Sequence, residues 1–167
     1  MEPIETRVRA VLDGTGLSYE IIACDPELAD TAVFCAHYGY PLEQSANTIL
    51  VASRKPVGRY AACVVLATDR LDVNKRVRRL LGVKKLSFAP PDVTADVTGM
   101  LIGGVTPFAL PRELPLWIDA AVMAHDWVIL GGGSRSMKVK ADPRVLESLP
   151  GAEVIDDLAM VPAPPSD

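Results

Sequence analysis

Gly103 and Gly104 interrupt the apolar run of GMLIGGVTPFALP, residues 99–111, and Pro107 follows three residues later. Glycine inside a strand-like run marks a bend or a close approach to the main chain, and proline removes one donor while stiffening the exit. Amides left free in this way can point at a ligand oxygen and stabilise negative charge on it. The same run also reads as a core strand broken by a β-bulge, so spacing alone leaves a pocket wall and a sheet corner both open. A second glycine cluster, LGGGSRS, puts Ser134 and Arg135 beside amides that could receive a phosphate. It lacks the lysine of a P-loop and the G-x-G-x-x-G spacing, so an ordinary hairpin turn competes with a nucleotide site built on Gly131 to Gly133.

Other chemistry-bearing residues are sparse. Between Asp72 and Lys85 stand Lys75, Arg76, Arg78, Arg79, Lys84 and Lys85, six cations against one acid in a chain whose net charge is −4. Such a patch suits phosphates, and a solvated helix face would carry the same residues. His37 and His125 are the only histidines and sit in no zinc or triad-like motif. Ser45, Thr48, Thr106 and Ser134 are nucleophiles by type only, with no general base beside them. Cys24, Cys35 and Cys63 are odd in number and lack ligand spacing, which predicts reduced core residues and neither a disulfide framework nor a metal site. No cofactor motif is present.

The elements that must position these residues are legible from periodicity. Ile4, Val8, Val11 and Leu12 predict an amphipathic helix closed by Gly14 and Gly16, and LSYEIIAC predicts a strand. Asp30 is placed to cap a short helix through Tyr38, before two apolar strands in NTILVAS and YAACVVLAT. LDVNKRVRRLLG reads as a helix capped by Asp72 and stopped at Gly82, and Asp92 is placed to cap another turn. Apolar runs at 99–105, 115–118 and 127–131 and the segment SMKVKA supply further strands, and Pro143 suits the first turn of a last helix. At 167 residues, 49% hydrophobic and 23% charged, this is one domain, and the order of elements predicts an α+β fold with a mixed sheet. The acidic, amphipathic N-terminus differs from a signal peptide, and no run is long enough to span a bilayer, so no membrane association and a cytoplasmic location are expected. Residues 162–167, within the proline-rich end MVPAPPSD, are expected to form a flexible tail.

The segment DVTADVTGMLIGGVTPFALPRELPLWID is similar to the threonine-glycine, G-x-x-x-P and isoleucine-aspartate signature of the YbaK and prolyl-tRNA synthetase associated domain family of aminoacyl-tRNA editing proteins. VILGGGSRSMKVKADP is similar to that family's glycine-rich turn and last strand, and RLDVNKRVRRLLGVKKLSFA to its helix and following strand. The resemblance implies a curved mixed sheet or partial barrel packed by helices over residues 1–161. It further implies metal-independent hydrolysis of the ester of a tRNA mischarged with a small amino acid. Aminoacyl-tRNA is then the substrate, and a synthetase is a candidate second partner. Carried onto this chain, it gives Asn47, Gly103 and Gly104 catalytic roles. It gives Thr48, Val105, Thr106, Pro107, Asp119, Gly132, Ser134 and Arg135 substrate contacts, and Lys75, Arg76 and Arg79 tRNA contacts. One departure stands out. The family's editors carry a lysine at the start of the strand, where this chain reads SANTILV with Asn47. Asn47 can donate a hydrogen bond and cannot supply charge, so a module that binds aminoacyl-tRNA or a nucleotide without hydrolysing it is the alternative function.

Overall fold

The computed structural model describes residues 2–161, so the expected tail at 162–167 lies outside the described residues. Helix α1 (Pro3–Asp13) starts where Glu2 and Glu5 exchange capping-box bonds and Pro3 occupies a first-turn position that needs no amide. Its Val8 and Leu12 are fully buried, as their spacing predicts. Strand β1 (Tyr19–Ala23) leads to helix α2 (Thr31–Tyr38), which Gly39 ends in a left-handed conformation. Strands β2 (Ala46–Lys55) and β3 (Val57–Leu66) form a long antiparallel hairpin, in register from Ala46 opposite Leu66 to Ala52 opposite Tyr60, with a shift by one residue before Arg54 opposite Val57. After the short strand β4 (Arg70–Leu71), Asp72 caps a π-helical turn, Val73–Val77, that runs on into α3 (Arg78–Leu81) and stops at Gly82. Strand β5 (Lys85–Phe88), helix α4 (Pro91–Thr98), strand β6 (Leu116–Asp119) and the single turn α5 (Ala120–Met123) follow. Strands β7 (Val128–Gly131) and β8 (Met137–Ala141) make a second hairpin, and β9 (Ala152–Ile155) and β10 (Ala159–Met160) follow.

The fold is α+β, with mixed sheets packed by helices, and it does not close into a barrel. Five strands in the order β5-β2-β3-β6-β9 are antiparallel on the β5 side and parallel from β3 to β9. A separate antiparallel sheet has the order β1-β8-β7, and β10 pairs with β4. One face of the β2–β3 hairpin, Leu50, Ala62 and Val64, packs with Leu130 and Val139 of the second hairpin and with α1. The other face, Val51, Ala61, Cys63 and Val65, is covered by Val73, Val77 and Leu81. This two-sided burial explains why β3 reads as an uninterrupted apolar run instead of an alternating one.

Four expectations need correction. Residues 99–105 are a turn segment and not a strand: Gly103 is at φ 89°, Gly104 donates to the Leu101 carbonyl at 2.9 Å, and Leu101 and Ile102 are exposed. Pro90 takes the capping position of α4, leaving Asp92 inside the first turn, where its charge still favours the helix dipole. Asp30 stands at the start of α2 without capping it, because its carboxylate pairs with Arg135 at 3.1 Å. The last helix is a single 3-10 turn, Pro143–Leu146, and the strands beyond it were not expected from so short and polar a stretch.

All three cysteines are buried and free. Burial pushes the Cys63 thiol up to about 12, so almost no thiolate exists near neutrality. Cys63 is therefore expected to resist iodoacetamide at pH 8 in the native protein and to react once the chain is unfolded in urea; rapid native labelling, read by mass spectrometry, would contradict this packing.

Candidate active site

Strand β5 pairs with β2 only from Val51 to Lys55, so among the described residues no strand pairs with the first half of β2 on that edge, and a single bridge joins the preceding Ser45 to Ile129. A cavity of about 320 Å³ fills the gap. Asn47 and Thr48 of β2, Thr31 and Phe34 of α2, Gly103 and Val105 of the turn segment, and Lys138 of β8 all line it. Its volume falls at the lower end of the usual range for small-molecule sites.

Lys138 is 5% exposed, and its ammonium donates to the carbonyls of Ala29 at 2.6 Å and Gly103 at 2.8 Å. Two of its three protons are thus held by backbone, and the Phe34 ring lies 5.6 Å away. Burial lowers its pKa from the ordinary lysine value. Among the lining residues Lys138 is the sole cation and Asp30 the sole carboxylate.

The turn segment is fixed from the β7–β8 hairpin one peptide at a time. The Gly103 carbonyl accepts from Lys138, and the Gly104 carbonyl accepts from Gly133 N–H at 2.8 Å. In a trans peptide the carbonyl and the following amide point opposite ways, so anchoring Gly104 on the hairpin turns the Val105 N–H away from it. That amide has no hydrogen-bond partner among the described residues, and Val105 is 8% exposed. The Gly104 amide, in contrast, is occupied by Leu101. Across the cavity, Thr31 Oγ1 donates to Asn47 Oδ1 at 2.6 Å, which fixes the amide orientation and leaves the Asn47 NH2 group as a donor. Thr48 Oγ1 is buried without a partner among the described residues.

Glycine is required here by crowding more than by flexibility. A Cβ on Gly104 would lie 2.7 Å from the Ser134 carbonyl carbon, and one on Gly131 would overlap the Val105 carbonyl. Gly131 to Gly133 therefore form a seat for the turn segment and not an open phosphate cradle; Gly132 and Gly133 are buried.

The structure brings Asn47, Thr48, Gly103 and Val105 together on one cavity and leaves the other sequence candidates outside it. Thr106 is fully buried and caps the 3-10 turn Pro107–Ala109, and Pro107 faces a separate apolar cavity of about 250 Å³. Asp119 accepts from Leu158 N–H at 3.2 Å, with burial raising its pKa. Ser134 donates to Glu5, while Arg135 binds Pro26, Asp30 and Ile102 and so ties three loops together beside the cavity. Gly132 packs on Met137. Lys75, Arg76 and Arg79 belong to the helical segment over the Val51 and Cys63 face of the sheet and do not line the cavity, nor do His37 and His125. Sequence reasoning missed Lys138, Asp30 and Phe34. The available signal was the alternation of MKVKA, which sends Met137, Val139 and Ala141 to the core and Lys138 and Lys140 to the other face.

The family profile of the aminoacyl-tRNA editing domain matches residues 25–149. This chain belongs to that family. The matched span holds every residue lining the 320 Å³ cavity. The editing domain is also 29% identical over 125 residues to the uncharacterized protein YwhH of Bacillus subtilis (strain 168), a match covering 70% of this chain and 79% of YwhH. Among solved structures it is similar to a protein proposed to be a trans-editing enzyme for prolyl tRNA synthetase, with a TM-score of 0.77, 24% identity, and coverage of 96% of this chain and 98% of the other. The hypothetical protein APE2540 superposes with a TM-score of 0.78 at 27% identity, covering 90% of this chain and 97% of its own.

The crowding around the glycines has a measurable consequence. Gly104→Ala and Gly131→Ala are each expected to destabilise the fold by about 1–3 kcal/mol in urea titrations, as overpacking against backbone does. Unchanged midpoints would show that the two loops are not in close contact.

Proposed function

We propose that this editing domain hydrolyses the ester linking a small amino acid to the terminal ribose of a tRNA, acting in trans and without a metal. The observation that supports this best is a single cavity in which a buried cation, Lys138, anchors the turn that carries the unpartnered Val105 amide. In this reading water attacks the ester carbonyl carbon, negative charge grows on the carbonyl oxygen, and the Val105 N–H and the Asn47 NH2 group donate to it. The carbon–oxygen bond to the ribose then breaks, the ribose oxygen takes the proton released by the water, and free amino acid and tRNA leave. A free ribose hydroxyl beside the ester serves as the local proton carrier. Asp30 suits the α-ammonium group of the amino acid, and Thr48 Oγ1 offers a further polar contact. The limited volume and the Phe34 ring favour small side chains, the class that synthetases separate least well, by only about 10- to 200-fold.

In this reading the roles carried over by resemblance are reassigned. Val105 replaces Gly104 as donor, since the Gly104 amide is engaged, and Lys138 supplies positive charge that Asn47 cannot. Lys138 acts on Gly103 and is thus a positioning residue.

The direct test is single-turnover deacylation of tRNAs charged with alanine, cysteine, serine and proline, with the uncatalysed rate subtracted. Hydrolysis of at least one is expected; tight binding of all with no hydrolysis would make the chain a binding module instead. Lys138→Met is expected to lower the rate constant about 100-fold, the scale on which small misplacements act. The natural protein is expected to lose activity on an alkaline limb below the ordinary lysine range, because burial lowers the Lys138 pKa, and Lys138→Arg is expected to remove that limb. For stability the sign is opposite. Between the lowered pKa and the ordinary value the unfolded chain holds more protons, so the penalty for burying this group shrinks as pH rises. An identical alkaline limb in Lys138→Arg would exclude Lys138 as its source.

A further inference from the structure

The wall of the cavity continues outward along one strand. Ala89, which lines the cavity, directly follows β5, and at the other end of β5 Lys85 lies opposite Lys55 near the tip of the β2–β3 hairpin. Phe88, next to Ala89, is 55% exposed, although it stands in a sheet opposite the fully buried Val51. Lys84 is held beside the tip by its amide, which donates to the Lys55 carbonyl at 2.9 Å. Arg54, Lys55, Arg59, Lys84 and Lys85 are all exposed, and none forms an ion pair among the described residues. No carboxylate interrupts residues 54–59 or 84–89.

An unpaired cluster of five cations is a phosphate-binding surface, and an exposed aromatic ring is a platform on which a base can stack. Here the two are in line with the cavity: from Ala89 to Lys85 is four residues of strand, about 13 Å at ~3.3 Å each. We infer that β5 and the tip of the β2–β3 hairpin form a track for the single-stranded 3′ end of an RNA whose terminal residue occupies the cavity, with Phe88 stacking a base and the five cations holding phosphates. This rests on the hydrolase reading for the identity of the terminal group. It assigns the RNA contact to this strand rather than to Lys75, Arg76 and Arg79, none of which lines the cavity and whose Arg76 is engaged with the Asp156 carbonyl at 3.2 Å. The position of Phe88 next to the cavity also explains why so large an apolar side chain faces outward from a strand rather than joining either core cluster.

The test compares the natural protein with Phe88→Ala, with the pair Lys84→Gln and Lys85→Gln, and with the triple Arg54→Gln, Lys55→Gln and Arg59→Gln. Two substrates are used: a full aminoacyl-tRNA and a 3′-aminoacyl adenosine, which is too short to reach the track. Binding of uncharged tRNA is titrated against salt. Phe88→Ala is expected to weaken tRNA binding about 10-fold, and each lost phosphate contact to flatten the logarithmic salt slope by about 0.7. Deacylation of the full tRNA should fall accordingly while hydrolysis of the aminoacyl adenosine stays at the natural rate, which also reports an intact fold and cavity. Unchanged tRNA binding and salt slope in these variants, or an equal loss with Lys75→Gln, Arg76→Gln and Arg79→Gln, would overturn the track. Should the natural protein hydrolyse neither substrate while its tRNA binding still depends on the five charges and Phe88, the hydrolase reading fails and the track stands.

Discussion

The Lys138 ammonium is the point on which the site depends. It joins the carbonyl of Ala29, just before α2, to that of Gly103, so the helix wall and the turn wall of the cavity are held by one side chain projecting from a third element, β8. A buried ammonium without partners is strongly unfavourable, and two carbonyls without donors are unfavourable as well, so each side of the contact enforces the other. Everything the cavity can do chemically follows from this clamp. With the Gly103 and Gly104 carbonyls both anchored, the Val105 amide has one direction left to point, and α2 brings Thr31 within reach of Asn47.

The clamp works only because backbone meets backbone. Gly104 approaches Ser134, and Gly131 approaches Val105, at separations that no side chain would permit, and Arg135 then closes the outside by binding Pro26, Asp30 and Ile102 together. The two glycine-rich stretches are therefore a single contact seen from its two sides. A similar economy governs β2. One end lacks a neighbouring strand and forms the cavity edge, while the other end, paired with β5, carries a ridge of exposed cations.

Local chemistry made much of this legible in the sequence. The apolar spacing of α1, the capping Asp72 with Gly82 after it, and the Val- and Ile-rich runs of β2 and β3 all specify their elements through short-range terms, and the α+β class follows from their order. What could not be read was set by distant contacts. GMLIGGV has the composition of a strand, yet Gly103 and Gly104 turn the chain because residues 131–135 lie against them. Asp30 has the right type and place for a cap, and an arginine 105 positions later takes its carboxylate. Asn47 was singled out only through the family resemblance and Lys138 not at all, since a lysine between core residues in a strand ordinarily signals an exposed face, and only the fold reveals that this face is closed by α2.

The most direct measurement of the central claim is a structure of the protein with a non-hydrolysable amide analogue of 3′-aminoacyl adenosine. The clamp as described requires the acyl oxygen of the analogue to lie about 2.7–3.1 Å from the Val105 nitrogen, with Lys138 still bound to the Ala29 and Gly103 carbonyls. An acyl oxygen out of reach of Val105, or a Lys138 ammonium that leaves Gly103 for the ligand, would contradict it.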